Sequence, residues 1–383
     1  MSVVKLGIIG LGNMGQVHCK LVSAITDFKL TAVADTRPGR SERIHNRYDV
    51  TVFDSGEALI KSGTCDAILI ATPHYDHTRL GCLALRQGCH LMIEKPISVD
   101  KRDALRLVNA HGNPEQVFAA MFNQRTHPAY QQLRQWIQAE TLGPVRRVQW
   151  TITDWFRSQA YYDSGDWRAT WVGEGGGVLL NQCPHQLDLI CWLFGLPVSL
   201  YSQCSFGKYH HLEVEDEVTG LLNFDNDVTG VFTTTTGEAP GINRLEIAFD
   251  DGLVVYNSQE NFITVIRNDK SVTRAIAENA AFEKPGTTLE LVPVDGDGGQ
   301  HGAILENFAG AILRGEPLIA PAFEGLQSVE LANAMLLSGW TQKAVNLPIS
   351  ARGYRQRLLD KIKRSTFERK VKATVVDNMA DSF

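Results

Sequence analysis

The stretch Gly10-Leu11-Gly12-Asn13-Met14-Gly15 decides the fold of the first third of the chain. It follows an apolar run at residues 4–9, which is typical of a buried parallel strand. The pattern G-x-G-x-x-G between a strand and a helix forms the phosphate-binding turn of dinucleotide-binding folds. Gly10 permits the tight bend, Gly12 lets the backbone approach a pyrophosphate, and Gly15 lets helix and strand pack closely. We therefore predict that this turn, with Asn13 and Met14 between the last two glycines, holds a dinucleotide.

An acidic residue at the end of the next strand favours NAD as that dinucleotide. Asp35 ends the predicted strand 29–35, 20 residues after Gly15, at the spacing of a carboxylate that binds the adenosine ribose. Such a carboxylate accepts hydrogen bonds from the ribose hydroxyls and repels a 2′-phosphate. Arg37, Arg40 and Arg43 follow closely and could pair with a phosphate, so NADP remains the less favoured alternative.

Strand-like and helical stretches alternate through the rest of the first third. Asp54 and Asp100 are candidate N-caps, and Gly88 is a candidate C-cap. This alternation predicts a parallel sheet with helices on both faces, a Rossmann domain over residues 1–122. Its further predicted strands are residues 66–71, 89–93 and 116–121.

Beyond about residue 122 the strands follow one another with few helices between them. This order predicts an α+β domain over residues 123–383, built on a sizeable mixed or antiparallel sheet and ending in a basic tail at 351–383. The predicted strands are residues 145–155, 217–224, 228–236, 245–249, 253–256 and 262–266. The predicted helices are residues 128–140, 175–194, 301–313 and 323–344.

The composition excludes several classes of protein. The chain has 383 residues, 44% of them apolar and 21% charged, which is typical of a globular protein with two domains. Its net charge of −6 argues against general nucleic-acid binding. No run approaches the roughly 18 apolar residues of a membrane-spanning helix, and no secretory signal is visible. The seven cysteines form no CxxC pair, so we expect a cytoplasmic protein with reduced thiols and neither disulfides nor zinc.

Short motifs spread over almost the whole chain carry a resemblance to one family. They are the glycine turn with Asp35, Ala71-Thr72-Pro73 with His77, Glu94-Lys95-Pro96, Trp167-Arg168, and the run 175–181 (Gly-Gly-Gly-Val-Leu-Leu-Asn) with His185 and Asp188. With these motifs the sequence resembles the Gfo/Idh/MocA family, which includes glucose–fructose oxidoreductase and inositol 2-dehydrogenase. The resemblance implies an α/β fold in which a Rossmann domain precedes a domain with a large, mainly antiparallel open sheet. It also implies a homo-oligomer, a dimer or tetramer, joined through that sheet.

The resemblance assigns residues to the cofactor and to the reacting groups. Trp167 and Arg168 match a pair that closes over cofactor and substrate, Lys95 matches the family's catalytic lysine, and His185 matches its usual proton acceptor. Residues that match the lining of the NAD site elsewhere are Thr72, Pro73, His77, Glu94, Lys95 and Asn123.

The chemistry of alcohol oxidation suits these side chains. A proton must leave the hydroxyl oxygen and a hydride must leave carbon, and the nicotinamide takes the hydride. We predict that His185 accepts the proton, because its ordinary pKa is about 6.5. Lys95 would stabilise the alkoxide, and Asn181 would position the substrate or the imidazole. On a helix beginning near Gly177, Asn181 and His185 share one face.

Position 181 departs from a common family pattern. Many relatives carry Asp where this chain has Asn181, and Asn can hold an imidazole by a hydrogen bond without adding negative charge. We therefore expect His185 to be a weaker base than it would be beside a carboxylate. Asp188 could orient the imidazole instead, or it could form a salt bridge elsewhere.

An aromatic segment indicates the substrate. Residues 150–171 contain seven aromatic side chains, where the overall aromatic content of 8% predicts about two. Aromatic faces beside hydrogen-bonding groups suit a sugar or cyclitol ring, whereas some of these rings, such as Trp150, would simply pack in the core. The predicted substrate-binding residues are Lys95, Arg157, Tyr161, Tyr162, Trp167, Asn181 and His185.

These observations predict an NAD-dependent oxidoreductase acting on a secondary hydroxyl of a sugar, glycoside or inositol. Two alternatives stay open: a glycosidase that oxidises its substrate transiently, and a non-catalytic sensor of sugar or dinucleotide. The polar runs at residues 210–216 and 295–299 are expected to be loops, so no metal is predicted.

Overall fold

The structure is a computed structural model that describes residues 3–165 and 167–368 of the chain. Within them the first sheet has six strands, all paired in parallel, in the order β3-β2-β1-β4-β5-β6. The strands are β1 (Val4–Ile9), β2 (Phe28–Ala34), β3 (Thr51–Phe53), β4 (Ala67–Ile70), β5 (His90–Ile93) and β6 (Phe118–Ala120). The predicted parallel sheet is confirmed. β3 escaped prediction because it has only three residues and buries none of them fully.

Five helices connect these strands along the described chain. They are α1 (Asn13–Ala24), α2 (Pro38–Tyr48), α3 (Gly56–Lys61), α4 (His74–Arg86) and α5 (Lys101–Asn109). Asp100 caps α5 as predicted, since its carboxylate accepts the N–H groups of Arg102 and Asp103. The cap of α3 is Ser55 and not Asp54, because the Ser55 hydroxyl accepts the N–H of Ala58.

The second sheet is large and mainly antiparallel, as predicted. Its described strands follow the order β14-β13-β12-β11-β7-β10-β9-β8-β15, and the β7–β10 pair is parallel. The strands are β7 (Val145–Ile152), β8 (Ser199–Phe206), β9 (Glu215–Asn223), β10 (Thr229–Thr235), β11 (Asn243–Phe249), β12 (Gly252–Asn257), β13 (Phe262–Asn268), β14 (Thr287–Pro293) and β15 (Val345–Asn346). β8, β14 and β15 were not predicted. β14 is largely exposed and has no buried face, so it lacks the pattern of alternating buried residues that predicts a strand.

Among the described residues, helices cover one face of this sheet and leave the other open. α11 packs on both β8 and α8, over a core that contains Trp150, Phe232 and Leu245. On the opposite face Leu221 is 54% exposed. The remaining helices are α6 (Pro128–Gln138), α7 (Gln159–Asp163), α8 (Pro184–Phe194), α9 (Val272–Glu278), α10 (Gln300–Arg314), α11 (Gly325–Thr341) and α12 (Ala351–Arg364), with short 3₁₀ turns at Asn123–Thr126, Asp225–Asp227 and Ala322–Glu324.

The C-terminal third of the chain contributes a helix to the core of the first sheet and a helix to the basic tail. α10 packs against the core of the first sheet through Ile304, Leu305 and Phe308, so late residues complete the early sheet. Of the predicted basic tail, residues 351–364 form α12, and residues 369–383 lie outside the described part of the chain.

The predicted helix 175–194 begins later than expected. α8 starts at Pro184, and Asn181 lies in the turn before it. The prediction that Asn181 and His185 share a helix face is therefore wrong. Pro184 is suited to the first helical turn because it needs no N–H partner there. Gly175 has a φ of +83°, so no helix can pass through the first residue of the predicted range.

None of the described helices is both long enough and apolar enough to cross a membrane. The seven cysteines, all within the described residues, are buried free thiols.

Candidate active site

The glycine turn lies where β1 ends and α1 begins. A Cβ atom on Gly15 would lie 1.8 Å from the carbonyl oxygen of Gly10, so the helix can approach the strand only with glycine there. Gly10 has a φ of +91°, and its own Cβ would lie 2.6 Å from the carbonyl oxygen of Ala71. Gly12 differs, because within the described part of the chain a Cβ there would meet only the Arg40 side chain, at 4.0 Å. The space above Gly12 at the N-terminus of α1 is therefore open to a ligand's phosphates.

Asp35 lies beside this turn as predicted. One carboxylate oxygen accepts the N–H of Leu11 at 2.7 Å, and the other accepts the N–H of Arg37 at 2.8 Å. Arg40 Nη1 lies 3.5 Å from the same carboxylate. Asp35 thus joins the glycine turn to the start of α2 and has lone pairs left for further donors.

Lys95 follows the C-terminal end of β5, the edge at which ligands bind in such sheets. Its Nζ donates a hydrogen bond of 2.8 Å to the carbonyl oxygen of Asn181 in the second half of the chain. The Lys95–Pro96 peptide bond is cis. Burial lowers the pKa of Lys95, and the nearby Glu94 opposes that change.

His77 holds the turns around Lys95 from behind. Its two ring nitrogens lie 2.8 Å from the carbonyl oxygen of Pro96 and 2.9 Å from that of Thr72. The ring is fully buried, and burial lowers its pKa. His77, which was predicted to line the cofactor, therefore lies beneath the two loops that carry Thr72-Pro73 and Lys95. The hydroxyl of Thr72 is buried without a partner in the described residues.

Glu94 is buried between two histidines of distant segments. Its Oε1 lies 2.7 Å from Nε2 of His18, and its Oε2 accepts the N–H of Lys95. Burial alone would raise the pKa of Glu94, but His18, His301 and Lys95 together lower it to about 2. The ring of His301 stands 5.8 Å from that of His18, and burial lowers its pKa to about 4.

Asn123 lies close by, with its Nδ2 donating to Gln300 at 2.6 Å. Its Oδ1 is buried without a partner in the described residues. An acceptor in this position is available to a ligand.

His185 lies in the first turn of α8, almost completely buried. Its ring stands edge-on to Phe122, and its Nδ1 has no partner among the described residues. Burial lowers the pKa of His185 well below its ordinary value, and the positive charge of Lys95 lowers it further. The imidazole is therefore neutral at neutral pH and lies within electrostatic reach of the Lys95 ammonium.

Asp188 does not orient His185. Both of its carboxylate oxygens accept hydrogen bonds of 2.7 Å from the buried guanidinium of Arg125. Arg125 also pairs with Glu324, so this cluster ties α8 to the segment before α11. Of the two roles predicted for Asp188, the structure therefore shows the salt bridge.

The aromatic segment divides between the core and the site. Arg168 lies over the rings of Tyr161 and Trp167, at 4.3 and 4.6 Å from their centroids, and Arg157 lies 5.2 Å from the Tyr161 centroid. The Tyr161 hydroxyl accepts from Arg168 and from Gln182 and donates to Oδ1 of Asn181 at 3.4 Å.

Tyr162 and Trp150 lie elsewhere. Tyr162, which was predicted to contact the substrate, lies in the hydrophobic core instead, and its hydroxyl donates to Thr236 at 2.8 Å. Neighbouring residues of a short helix point in different directions, and α7 turns Tyr161 toward Asn181 while Tyr162 packs inward. Trp150 lies in the core, as one alternative held.

Sequence reasoning missed Glu174. This side chain is completely buried, and its Oε1 accepts a hydrogen bond from Nδ2 of Asn181. The available signal was an acidic residue placed directly between glycines inside an apolar stretch, where a carboxylate requires a specific partner. His74 was missed as well, and its ring lies edge-on to Trp167.

Two family models match the chain one after the other. Residues 4–121 match the NAD-binding Rossmann fold of the Gfo/Idh/MocA oxidoreductase family, and residues 130–255 match its C-terminal domain. The chain belongs to the Gfo/Idh/MocA family. The predicted family, the fold class and the NAD-binding oxidoreductase character are thereby confirmed.

Individual relatives agree with this assignment over nearly their full lengths. Inositol 2-dehydrogenase of Rhizobium meliloti is 25% identical over 90% of this chain and 99% of that protein. D-glucoside 3-dehydrogenase of Escherichia coli is 25% identical over 90% of this chain and 98% of that protein. The crystal structure of the WlbA dehydrogenase from Bordetella pertussis with NADH and UDP-GlcNAcA has a TM-score of 0.76 at 23% identity, and the match covers 91% of this chain and 100% of that one. This last likeness shows a shared fold.

The side chains around the glycine turn fit an NAD molecule. The open space above Gly12, the carboxylate of Asp35, and the unpartnered oxygens of Thr72 and Asn123 offer the acceptors and the clearance that such a ligand needs. No cluster of three or more His, Cys, Asp or Glu side chains among the described residues could hold a metal ion.

Proposed function

We propose that this protein is an NAD-dependent dehydrogenase that oxidises a secondary hydroxyl of a sugar, glycoside or inositol. One observation carries the proposal. The ammonium of Lys95, from the ligand-binding edge of the first sheet, reaches the segment that holds Asn181 and His185 from the second half of the chain. An alcohol oxidation needs a proton acceptor and a cation at one place, and these elements supply both.

The glycine turn and its neighbours would hold the cofactor. Gly12 and the start of α1 would take the pyrophosphate, and Asp35 would take the adenosine ribose. Thr72, Asn123 and Glu94 would border the cofactor near Lys95, and Trp167 and Arg168 would close over it. When bound, NAD supplies the acceptor for a hydride from the alcohol carbon.

Lys95 and His185 would divide the work on the hydroxyl group. The buried Lys95 ammonium would stabilise negative charge on the alcohol oxygen, in a site where low polarity strengthens that interaction. The neutral imidazole of His185 would accept the hydroxyl proton. Asn181, whose carbonyl oxygen holds Lys95 Nζ, would keep the ammonium aimed at that oxygen.

The side chains near Asn181 suit a ring-shaped polar substrate. Tyr161 and Trp167 supply aromatic rings, and Arg157 and Arg168, which lie over these rings, supply guanidinium donors. A sugar or cyclitol has an apolar C–H face and a rim of hydroxyls, which matches this combination. The relatives named for inositol and glucoside oxidation support the same substrate class.

The proposal is tested by incubating the purified protein with NAD and a panel of inositols, free aldoses and glycosides. We expect a rise in absorbance at about 340 nm, the nicotinamide band of NADH, with at least one compound. Glycoside cleavage without net NADH would indicate the transient-oxidation reaction instead. Binding of NADH and sugar without turnover by either route would indicate a sensor and overturn the proposal.

Asp35 is expected to set the preference for NADH over NADPH. Asp35→Ser removes the charge that repels a 2′-phosphate and leaves Arg40 available to bind one. We expect the ratio of NADH to NADPH affinity to fall at least about tenfold, measured by fluorescence titration with both cofactors. The melting temperature serves as the control, because Asp35 also holds the Leu11 and Arg37 N–H groups. An unchanged ratio in a folded variant would contradict this role.

The low pKa of His185 predicts the pH profile of the oxidation. Since burial and the Lys95 cation lower this pKa, the imidazole stays unprotonated well below its ordinary titration near pH 6.5. We expect kcat/KM for oxidation to stay level from about pH 8 to about pH 6 and to fall only at lower pH. A protonation step at or above about pH 6.5 that disappears in a His185→Gln variant would contradict the assignment.

We also propose that the protein is a cytoplasmic homo-oligomer, a dimer or a tetramer. The uncovered face of the second sheet supports the oligomer, since Leu221 and the edge-strand residues Leu289 and Leu291 are more than half exposed there. Light scattering on the purified protein measures the mass directly.

A further inference from the structure

Glu174 joins parts of the site that are far apart in the sequence. Its Oε1 accepts from Nδ2 of Asn181, and its Oε2 accepts the N–H of Ala169 at 2.8 Å. Its own carbonyl oxygen lies 3.2 Å from Nδ1 of His74, in the first turn of α4. The side chain is fully buried, and the proposed reaction gives it no role. A buried carboxylate with this many specific partners requires an explanation.

The contact with Ala169 fixes an unusual turn. Ala169 directly follows Arg168 and has a φ of +65°, the left-handed conformation that residues with a Cβ rarely adopt. Such a conformation persists where surrounding contacts hold it. The Glu174 carboxylate supplies one of these contacts, and it thereby helps to hold the backbone that presents Trp167 and Arg168.

The contact with Asn181 fixes the direction of a hydrogen-bond network. Both carboxyl oxygens of Glu174 accept hydrogen bonds, so the NH₂ group of Asn181 faces Glu174. Its Oδ1 then faces Tyr161 and accepts from the hydroxyl at 3.4 Å. The Tyr161 oxygen is left to accept from Arg168 and from Gln182. The Glu174 carboxyl group at one end of this network thus sets the direction of every hydrogen bond in it.

We propose that Glu174 is a positioning residue, which fixes the donor and acceptor groups that Asn181, Tyr161 and Arg168 present to the substrate. The inference rests on the proposed function, because it assumes that the sugar or cyclitol binds beside Asn181, Tyr161 and Arg168. The Glu174 carboxyl group is also in contact with position 181, where Asn brings no charge of its own.

Glutamine at position 174 would reverse the network. The N–H of Ala169 is part of the backbone and cannot rotate, so the amide oxygen of Gln would stay on it and the NH₂ group would face Asn181. Asn181 would then have to flip and direct its own NH₂ at Tyr161. The Tyr161 oxygen would face three donors, and its proton would lose its acceptor. Asn181→Asp alone would place two carboxyl groups in contact, which is unfavourable because two acceptors would then face each other without a donor.

The double variant Glu174→Gln with Asn181→Asp restores the original direction. The NH₂ group of Gln would donate to one Asp oxygen, and the other would accept from Tyr161. The test compares wild type, both single variants and the double variant. A matched control is Glu213→Gln, because Glu213 accepts the N–H of Trp171 in the same segment.

We expect Glu174→Gln to raise KM for the best substrate of the panel at least about tenfold, with the larger effect on KM than on kcat. The double variant should have a KM at least about threefold lower than that of either single variant, and the Glu213→Gln control should stay within about twofold of wild type. NADH affinity, measured by fluorescence, should stay unchanged throughout.

A second readout does not depend on turnover. The ¹³Cζ resonance of Tyr161, assigned with a Tyr161→Phe variant, should move in Glu174→Gln and return in the double variant. If no compound is oxidised, the proposed function fails. The Tyr161 resonance still shows whether Glu174 sets the direction of the hydrogen bonds.

A Glu174→Gln protein with an unmoved Tyr161 resonance and unchanged KM would overturn the proposal. So would a folded, NADH-binding double variant that is no better than the single variants. If Glu174→Gln alone does not fold, the double variant is compared with Asn181→Asp, and recovery over that variant is the supporting result.

Discussion

Replacing Lys95 with methionine is expected to lower kcat by about 10²- to 10³-fold. Methionine fills a similar volume but has no charge, so the alcohol oxygen would lose the ammonium that stabilises it. NADH affinity should change little, because the predicted pyrophosphate and ribose contacts lie at Gly12 and Asp35. Stopped-flow measurement of NADH formation separates the chemical step from product release.

The control and the contrary result for Lys95 are both simple. Lys20→Met removes an exposed lysine on α1 and should leave kcat within about twofold of wild type. The melting temperature of Lys95→Met should fall modestly, because the Asn181 carbonyl oxygen loses a donor worth about 1–3 kcal/mol. A kcat close to that of wild type would remove Lys95 from the mechanism.

A pair of glycine substitutions should separate folding from cofactor binding. Gly15→Ala would place a Cβ 1.8 Å from the Gly10 carbonyl oxygen, so α1 must move away from β1. We expect a loss of about 1–3 kcal/mol or more in the free energy of unfolding, together with loss of NADH binding. Gly12→Ala has no such clash, since its nearest neighbour would be the Arg40 side chain at 4.0 Å.

Gly12→Ala should therefore keep the melting temperature and lose the cofactor. Its added methyl group would occupy the space that the pyrophosphate needs, and we expect NADH affinity to fall at least about tenfold. Isothermal calorimetry and thermal melting on both variants provide the comparison. Unchanged NADH binding by Gly12→Ala would show that the dinucleotide does not cross this turn.

The features that follow from local chemistry could be predicted from the sequence. The glycine turn, the position of Asp35 and the cap at Asp100 each depend on a few neighbouring residues with strong conformational preferences. The change from alternating strands and helices to successive strands also predicted a parallel sheet followed by a mainly antiparallel sheet. The position of Lys95 followed from its place after β5 together with the resemblance to a family.

The remaining features depend on partners far away in the sequence. Asp188 pairs with Arg125, 63 residues away, and no local pattern indicates that choice over His185. The start of α8 at Pro184 depends on how the glycine run packs beneath β9, where the carbonyl oxygen of Glu215 accepts the N–H of Val178. Tyr161 and Tyr162 are adjacent and chemically identical, so only the packing of α7 decides which one reaches Asn181.

Glu174 illustrates the same limit inside the site. An acidic residue between glycines in an apolar stretch indicates that it has a specific partner but does not say which one, and the structure buries it against Asn181 and Ala169. The charge missing at position 181 could be inferred from the sequence. The side chain that contacts this position could not, because the contact requires the loop of residues 169–181 to close on itself.

The most direct test of the central claim is a crystal structure of the protein with NADH and a substrate of the panel. We expect Lys95 Nζ and a ring nitrogen of His185 to lie both within hydrogen-bond reach, about 2.6–3.2 Å, of one substrate hydroxyl beside the nicotinamide ring. A complex in which either side chain lies on the far side of the nicotinamide from that hydroxyl would contradict the claim.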